Sequence, residues 1–271
     1  MKTTLPNLSP EPVGRLMDRP EAPAPLGPPV IKARGIGLRY RIRKQRVKSF
    51  QQYLFNLIRG QASFEDFWPL TDVDLTVHRG EIHGLIGSNG QGKSTLLRVL
   101  AGIYRPDRGT LEATGKISPL LTLGAGFNSE LTGRENIYLN GIFLGLDRRR
   151  IEKNLEAIIE FADIGDFINQ SIKTYSSGMS ARLGFAIALH VEPDILLLDE
   201  VMGVGDEAFK AKCRRAMLDL VDRAGAVVLV SHSLGLVKEL CTTVSWLDRG
   251  RVRLTGKPEE VTTAYRNSIT G

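Results

Sequence analysis

The chain has 271 residues, with 36 Lys and Arg against 30 Asp and Glu and a formal net charge of +6. At 42% hydrophobic and 24% charged residues, it has the balance of a soluble globular protein and not that of a disordered, collagenous or fibrous one. No apolar run approaches the roughly 18 residues that a membrane-crossing helix needs, and no basic-then-apolar leader opens the chain.

Residues 1–29 hold 8 of the 13 prolines and few large apolar groups, which predicts a disordered Pro-rich tail before a folded region over 30–271. Strand-like stretches follow at Val30–Arg34 and Ile36–Tyr40. The next segment, Arg41 to Arg59, carries Arg41, Arg43, Lys44, Arg46, Lys48 and Arg59 and no acid; without these 6 residues the chain has 30 bases and 30 acids. The charge excess is therefore local, which argues against a uniformly basic nucleic-acid binder. Phe50, Tyr53, Leu54, Leu57 and Ile58 share one helical face, so 41–68 reads as a basic amphipathic insertion. Such an element suits a membrane surface or a partner, though the stripe could equally pack on its own domain with its charges solvated.

Val73–Val77 and Glu81–Ile86 read as strands, Lys93–Ala101 as a helix, and Asn136–Leu144, Arg149–Ala162 and Ser177–His190 as further helices. Ile195–Leu198 and Ala226–Val230 are continuous apolar strands, as expected when both faces are covered. Helices over Glu207–Arg223 and Leu234–Cys241, a hairpin of Val244–Leu247 and Arg251–Leu254 about Asp248-Arg249-Gly250, and a helix over Pro258–Arg266 complete the chain. Strands alternating with helices predict an α/β fold with a mainly parallel sheet, interrupted by a helical block over about 133–190. Cys213 and Cys241 are too few for a disulfide framework and are expected as reduced thiols packed as small hydrophobes.

The strongest motif is Gly87-Ser88-Asn89-Gly90-Gln91-Gly92-Lys93-Ser94-Thr95, a G-x-x-x-x-G-K-[ST] phosphate loop between an apolar strand and a helix. Its glycines let successive amides turn toward phosphate oxygens, and the helix N-terminus adds partial positive charge. Lys93 supplies a full charge to the β- and γ-phosphates of a nucleotide, and Ser94 a hydroxyl to Mg²⁺. The strand Ile195–Leu198 delivers Asp199 and Glu200 to its C-terminal end. Asp199 is the candidate for Mg²⁺, through water, and Glu200 the candidate general base or water-orienting group. His232 follows the strand Ala226–Val230; taken by itself it is more simply a structural histidine than a catalytic one.

Tyr175-Ser176-Ser177-Gly178-Met179 opens a helix between the phosphate loop and the Asp-Glu strand. The order of phosphate loop, Ser-x-Gly signature, Asp-Glu strand and histidine resembles the ATP-binding-cassette ATPases of membrane transporters over about residues 30–268. The signature form, the segments Leu121–Asn128 and Leu131–Asn136, and Gly203–Asp206 are similar to the branch that exports lipid-linked O-antigen or teichoic-acid chains. The resemblance implies a P-loop nucleotide-binding domain with an antiparallel β subdomain and an inserted helical subdomain. It gives Tyr40 an adenine-stacking role and His232 a γ-phosphate role. It gives Ser176 and Gly178 contact with the nucleotide of a partner cassette, and Asp206 a link between the two cassettes. There are departures: no Gln stands near Leu123, where most cassettes carry one, and Met179 replaces the usual signature Gln. The sequence as far as Gly271 leaves no room for the carbohydrate-binding domain that some exporters append.

The sequence is therefore expected to encode the ATP-hydrolysing subunit of a polysaccharide exporter at the cytoplasmic face of the membrane. Its expected partners are a separate multi-pass permease, a second copy of itself, a lipid-linked polysaccharide, and the membrane surface through 41–59, with no nucleic acid. The rival expectations are a soluble cassette ATPase acting on ribosomes or nucleic acid, and the cassette of a small-molecule exporter.

Overall fold

The computed structural model describes residues 27–43, 64–121, 124, 126–199 and 207–270. The Pro-rich tail through residue 26 and most of the basic segment, 44–63, lie outside the described residues, as do Leu123, Glu200 and Asp206. The described chain forms two compact units, Pro29–Gly115 with Val228–Gly271, and Lys116–Val227, the division falling within one strand.

The first unit opens with two long antiparallel strands, β1 (Pro29–Arg43) and β2 (Phe64–His78), in register from Pro29↔His78 to Arg43↔Phe64. Both are longer than sequence alone predicts. Register shifts at four places along β1 break the two-residue alternation, so the inward-facing Ile31, Ala33, Ile36 and Leu38 do not keep one period. The outer ends of the expected insertion, 41–43 and 64–68, are strand. β3 (Ile82–Ile86) then leads to the helix α1 (Lys93–Leu100), and β4 (Arg108–Ala113) pairs with the free edge of β1 to give the order β2-β1-β4. β4 is solvated along most of its length and carries no apolar alternation, which hides it from pattern reading.

The second unit begins with β5 (Ile117–Leu120) and continues through α2 (Gly133–Phe143), α3 (Arg148–Ala162), α4 (Ser177–Ala188), β6 (Ile195–Asp199) and α5 (Glu207–Arg223). β5 and β6 are parallel, from Ile117↔Ile195 to Leu120↔Leu198. β5 lies at the sheet edge, where Pro119 removes no needed ladder bond. Ile137, Ile151, Ile158, Leu183 and Ile187, all wholly buried, bind the three helices into one cluster. Each helix has a side-chain N-cap. Thr132 and Glu135 form a reciprocal capping box on α2, Asp147 caps α3 and Ser176 caps α4.

The division falls in β7 (Ala226–Val230), whose last residues lie beside β3 in the first unit. α6 (Leu234–Leu240), β8 (Thr243–Asp248), β9 (Arg251–Gly256) and α7 (Pro258–Thr270) close that unit. β3 and β8 are parallel, and β8 and β9 form the expected hairpin, with Arg249 and Gly250 at φ +48° and +73° as a two-residue turn of primed type demands. Cys213 and Cys241 are both free and buried, and burial pushes the Cys213 thiol up to about 11, which keeps it protonated. No helix among the described residues is long and apolar enough to cross a membrane.

Candidate functional site

The phosphate loop occupies the turn from β3 into α1. Its glycines answer two different demands. Gly87 (φ +146°) and Gly92 (φ +100°) take positive φ where a Cβ would come within 2.2 Å of the Leu247 carbonyl oxygen and 2.4 Å of that of Pro69, so backbone packs where a side chain would be. Gly90 also has positive φ, +77°, but a Cβ there would meet nothing within 4 Å. Its role is conformational, turning the loop while leaving its mouth open. Gly92 is the N-cap of α1 and brings no side chain of its own, so the first helical amides are left for a ligand.

Lys93, only 5% exposed, folds back under the loop; its Nζ donates to the carbonyls of Gly87 at 2.7 Å and Ser88 at 2.8 Å. Neighbouring elements hold the loop from outside. The backbone N–H of Arg249, at the β8–β9 turn, donates to Gln91 Oε1, and the N–H of Gly250 to the Gln91 carbonyl at 3.2 Å. Tyr40, near the end of β1, meets Tyr104 edge-on at 6.2 Å. Burial is the main cause that raises the Tyr40 phenol above its ordinary value, so it remains a neutral aromatic. The first unit therefore brings Gly87–Thr95 together with Tyr40. His232 lies just past the end of β7, beside β3; Ser231 before it is buried and its Oγ accepts from the N–H of Ser233 at 3.1 Å.

In the second unit, β6 carries Asp199 at its end, half-buried after four buried apolar residues. Ser176 is exposed at the N-cap of α4, its Oγ accepting from the N–H of Met179 at 3.2 Å. Gly178 lies in the first turn, where an added Cβ would meet only Ser176 Oγ at 3.7 Å. The signature thus presents a helix N-terminus to solvent. Glu200 and Asp206 lie outside the described residues.

No group of three or more His, Cys, Asp or Glu able to hold a metal exists among the described residues. Ser94 in the first unit carries a hydroxyl and Asp199 in the second a carboxylate. Each is a hard-oxygen donor of the kind suited to an ion such as Mg²⁺, which keeps waters and takes other ligands from substrate phosphates.

Pattern reading missed two contributors. The β8–β9 turn was legible as a hairpin, but nothing in its composition says that its backbone grips Gln91. The sequence places Asn136 at the start of a helix and the end of the Leu131–Asn136 segment but says nothing of its side chain. It is wholly buried, its Oδ1 accepting from the N–H of Asn128 at 2.8 Å and its Nδ2 donating to the carbonyls of Asn128, Leu131 and Thr132.

An apolar strand, a glycine loop closed on a lysine and a helix define a phosphate-loop nucleotide-binding protein, and comparison with known proteins carries this further. The ABC transporter family model matches residues 70–203. The O-antigen export system ATP-binding protein RfbB of Klebsiella pneumoniae is 44% identical over 79% of this chain and 86% of its own. The RfbB of Myxococcus xanthus is 46% identical over 82% of this chain, which spans about half (51%) of that longer relative. The teichoic acids export ATP-binding protein TagH of Listeria innocua is 46% identical over 74% of this chain and 60% of its own. A solved ATP-binding cassette, a dimer in a post-hydrolysis state bound to ADP and Pi, matches the fold with a TM-score of 0.64 at 20% identity over 84% of this chain and 98% of its own. The chain belongs to the ABC transporter family, among its ATP-binding cassette ATPases.

Proposed function

We propose that this chain is the ATP-hydrolysing subunit of an exporter that moves lipid-linked polysaccharide across the cytoplasmic membrane. The observation that carries the reading is the phosphate loop, with Lys93 seated on the Gly87 and Ser88 carbonyls and the first amides of α1 left open, in a chain 44–46% identical to O-antigen and teichoic-acid export ATP-binding proteins.

Gly87–Thr95 would wrap the phosphates of ATP with backbone amides while Lys93, held in the loop by its carbonyls, reaches the β- and γ-oxygens. Tyr40 would stack on adenine. Ser94 and Asp199 would hold Mg²⁺, which when bound neutralises charge on the phosphates. Glu200 would take the proton of the attacking water, and His232 would hold the γ-phosphate. Ser176 and Gly178 would offer their helix N-terminus to the nucleotide of a second copy, with Asp206 linking the two. Each pair would then close head to tail over ATP and open after hydrolysis, because those contacts exist only in the closed form.

The permease would be a separate chain. α2 leaves Leu139, Ile142 and Phe143 exposed at 42%, 58% and 73%, and their spacing of three and four residues makes one apolar strip, a fitting dock for it. The basic segment from Arg41 would face anionic headgroups, at the cytoplasmic side of the membrane. In cells that depend on this chain for export, Lys93→Ala should abolish polysaccharide at the cell surface and leave its lipid-linked form inside. Unchanged surface polysaccharide would remove the exporter reading.

A further inference from the structure

Ser88 is the one residue of the phosphate loop that looks both ways. Its carbonyl, on the inside, accepts from Lys93 Nζ at 2.8 Å. Its hydroxyl, on the outside, lies 3.3 Å from the hydroxyl of Tyr265 on α7, one of the pair donating to the other. Nothing in the sequence motifs connects α7 to the loop, since 177 residues separate the two hydroxyls along the chain.

Tyr265 is held firmly enough for the contact to act. It is half-buried, and its ring meets Trp246 edge-on at 5.5 Å. Trp246, 6% exposed, is also covered by the Arg253 guanidinium, 4.6 Å from its ring centre. Trp246 pairs with Ile86, the residue that precedes Gly87, so the platform beneath Tyr265 belongs to the strand next to the one that launches the loop. On α7, Tyr265 follows Val261 and Thr262 by four and three residues, and both are buried, at 0% and 1%. The face of α7 that packs on the unit is therefore the face that presents the hydroxyl.

We propose that Tyr265 is a positioning residue for the phosphate loop: it fixes Ser88 so that the Ser88 carbonyl holds Lys93 in the loop, ready for the nucleotide phosphates. The hydroxyl pair sets the orientation of the Ser88 peptide, and that peptide aims the lysine. The proposal rests on the assignment of Gly87–Thr95 as the ATP site.

Tyr265→Phe is the informative variant because it keeps the ring on Trp246 and removes only the hydroxyl. With the purified full chain and Mg·ATP, its Kd and its KM in hydrolysis should rise about two- to fivefold, the effect of one modest hydrogen bond, while kcat changes by less. Its melting temperature should match that of the wild type. Ser88→Ala should weaken binding similarly, and the double variant should be no weaker than either single one, because both remove the same contact. Wild-type affinity in Tyr265→Phe, or independent addition of the two effects, would overturn the proposal. Lys93→Ala separates the two levels of argument. If it binds ATP like the wild type, the site assignment itself fails; if it loses ATP while Tyr265→Phe does not, only the role of Tyr265 fails.

Discussion

Glu81 stands at the foot of the strand that ends in the phosphate loop and is 2% exposed, an expensive place for a carboxylate. Burial pushes its pKa up, but the hydrogen bond and charge of His83, with the His78 N–H at 2.7 Å, outweigh burial and hold the group down at about 2. The chain of contacts continues from His83 Nε2 to Ser245 Oγ at 2.8 Å and on to Thr255 Oγ1 at 2.7 Å, linking β3 to β8 and β9. A carboxyl depressed in the folded state from its ordinary 4.5 stabilises the fold fully above about pH 4.5 and progressively less as the pH falls toward about 2. Thermal melts of the wild type should therefore drop across that window, and Glu81→Gln should be less stable at pH 6 but flatter below pH 4.5, relative to wild type. A variant with the same acid profile as the wild type would show that the carboxylate contributes nothing there.

At the scale of elements, the loop before α2 depends on Asn136. Asn136→Ala would take from the N–H of Asn128 its acceptor and from the carbonyls of Asn128, Leu131 and Thr132 one of two donors, since each keeps a backbone N–H, a loss of about 1–2 kcal/mol, which for a chain of this size lowers the melting temperature by about 5 °C. Wild-type stability in that variant would mean that water replaces the amide without loss. The opposite end of α2 makes a different prediction. Phe143 is 73% exposed, so Phe143→Ser should leave stability and ATP binding unchanged but reduce copurification with the proposed permease by about fivefold or more. Undiminished copurification would place the permease contact elsewhere.

At the scale of the whole molecule, what the sequence showed and what it hid divide along physical lines. Continuous apolar strands such as Ala226–Val230 and capped amphipathic helices such as α3 announce themselves through local pattern, and so does the phosphate loop, whose chemistry needs fixed residue types at fixed spacing. β4 escaped because its side chains face solvent, β5 because Pro119 argues against a strand unless the edge position is known, and the length of β1 and β2 because bulges break their alternation. Tyr265 and the Gln91–Arg249 contact escaped for another reason: they join residues far apart in the chain, and no local preference encodes such a meeting. The candidate site residues rest on motif and resemblance, whereas the side chains and backbone packed around the phosphate loop have no such signal.

In the proposed cycle, two copies of this cassette close over ATP and hydrolysis reopens them. The most direct test is the molecular mass in solution of Glu200→Gln with Mg·ATP, by size-exclusion chromatography with light scattering. The variant should bind ATP, hydrolyse almost none, and elute at about twice the 29.9 kDa chain mass, returning to single chains when ATP is removed. A variant that binds ATP yet stays at one chain mass, or that turns over ATP at the wild-type rate, would contradict it.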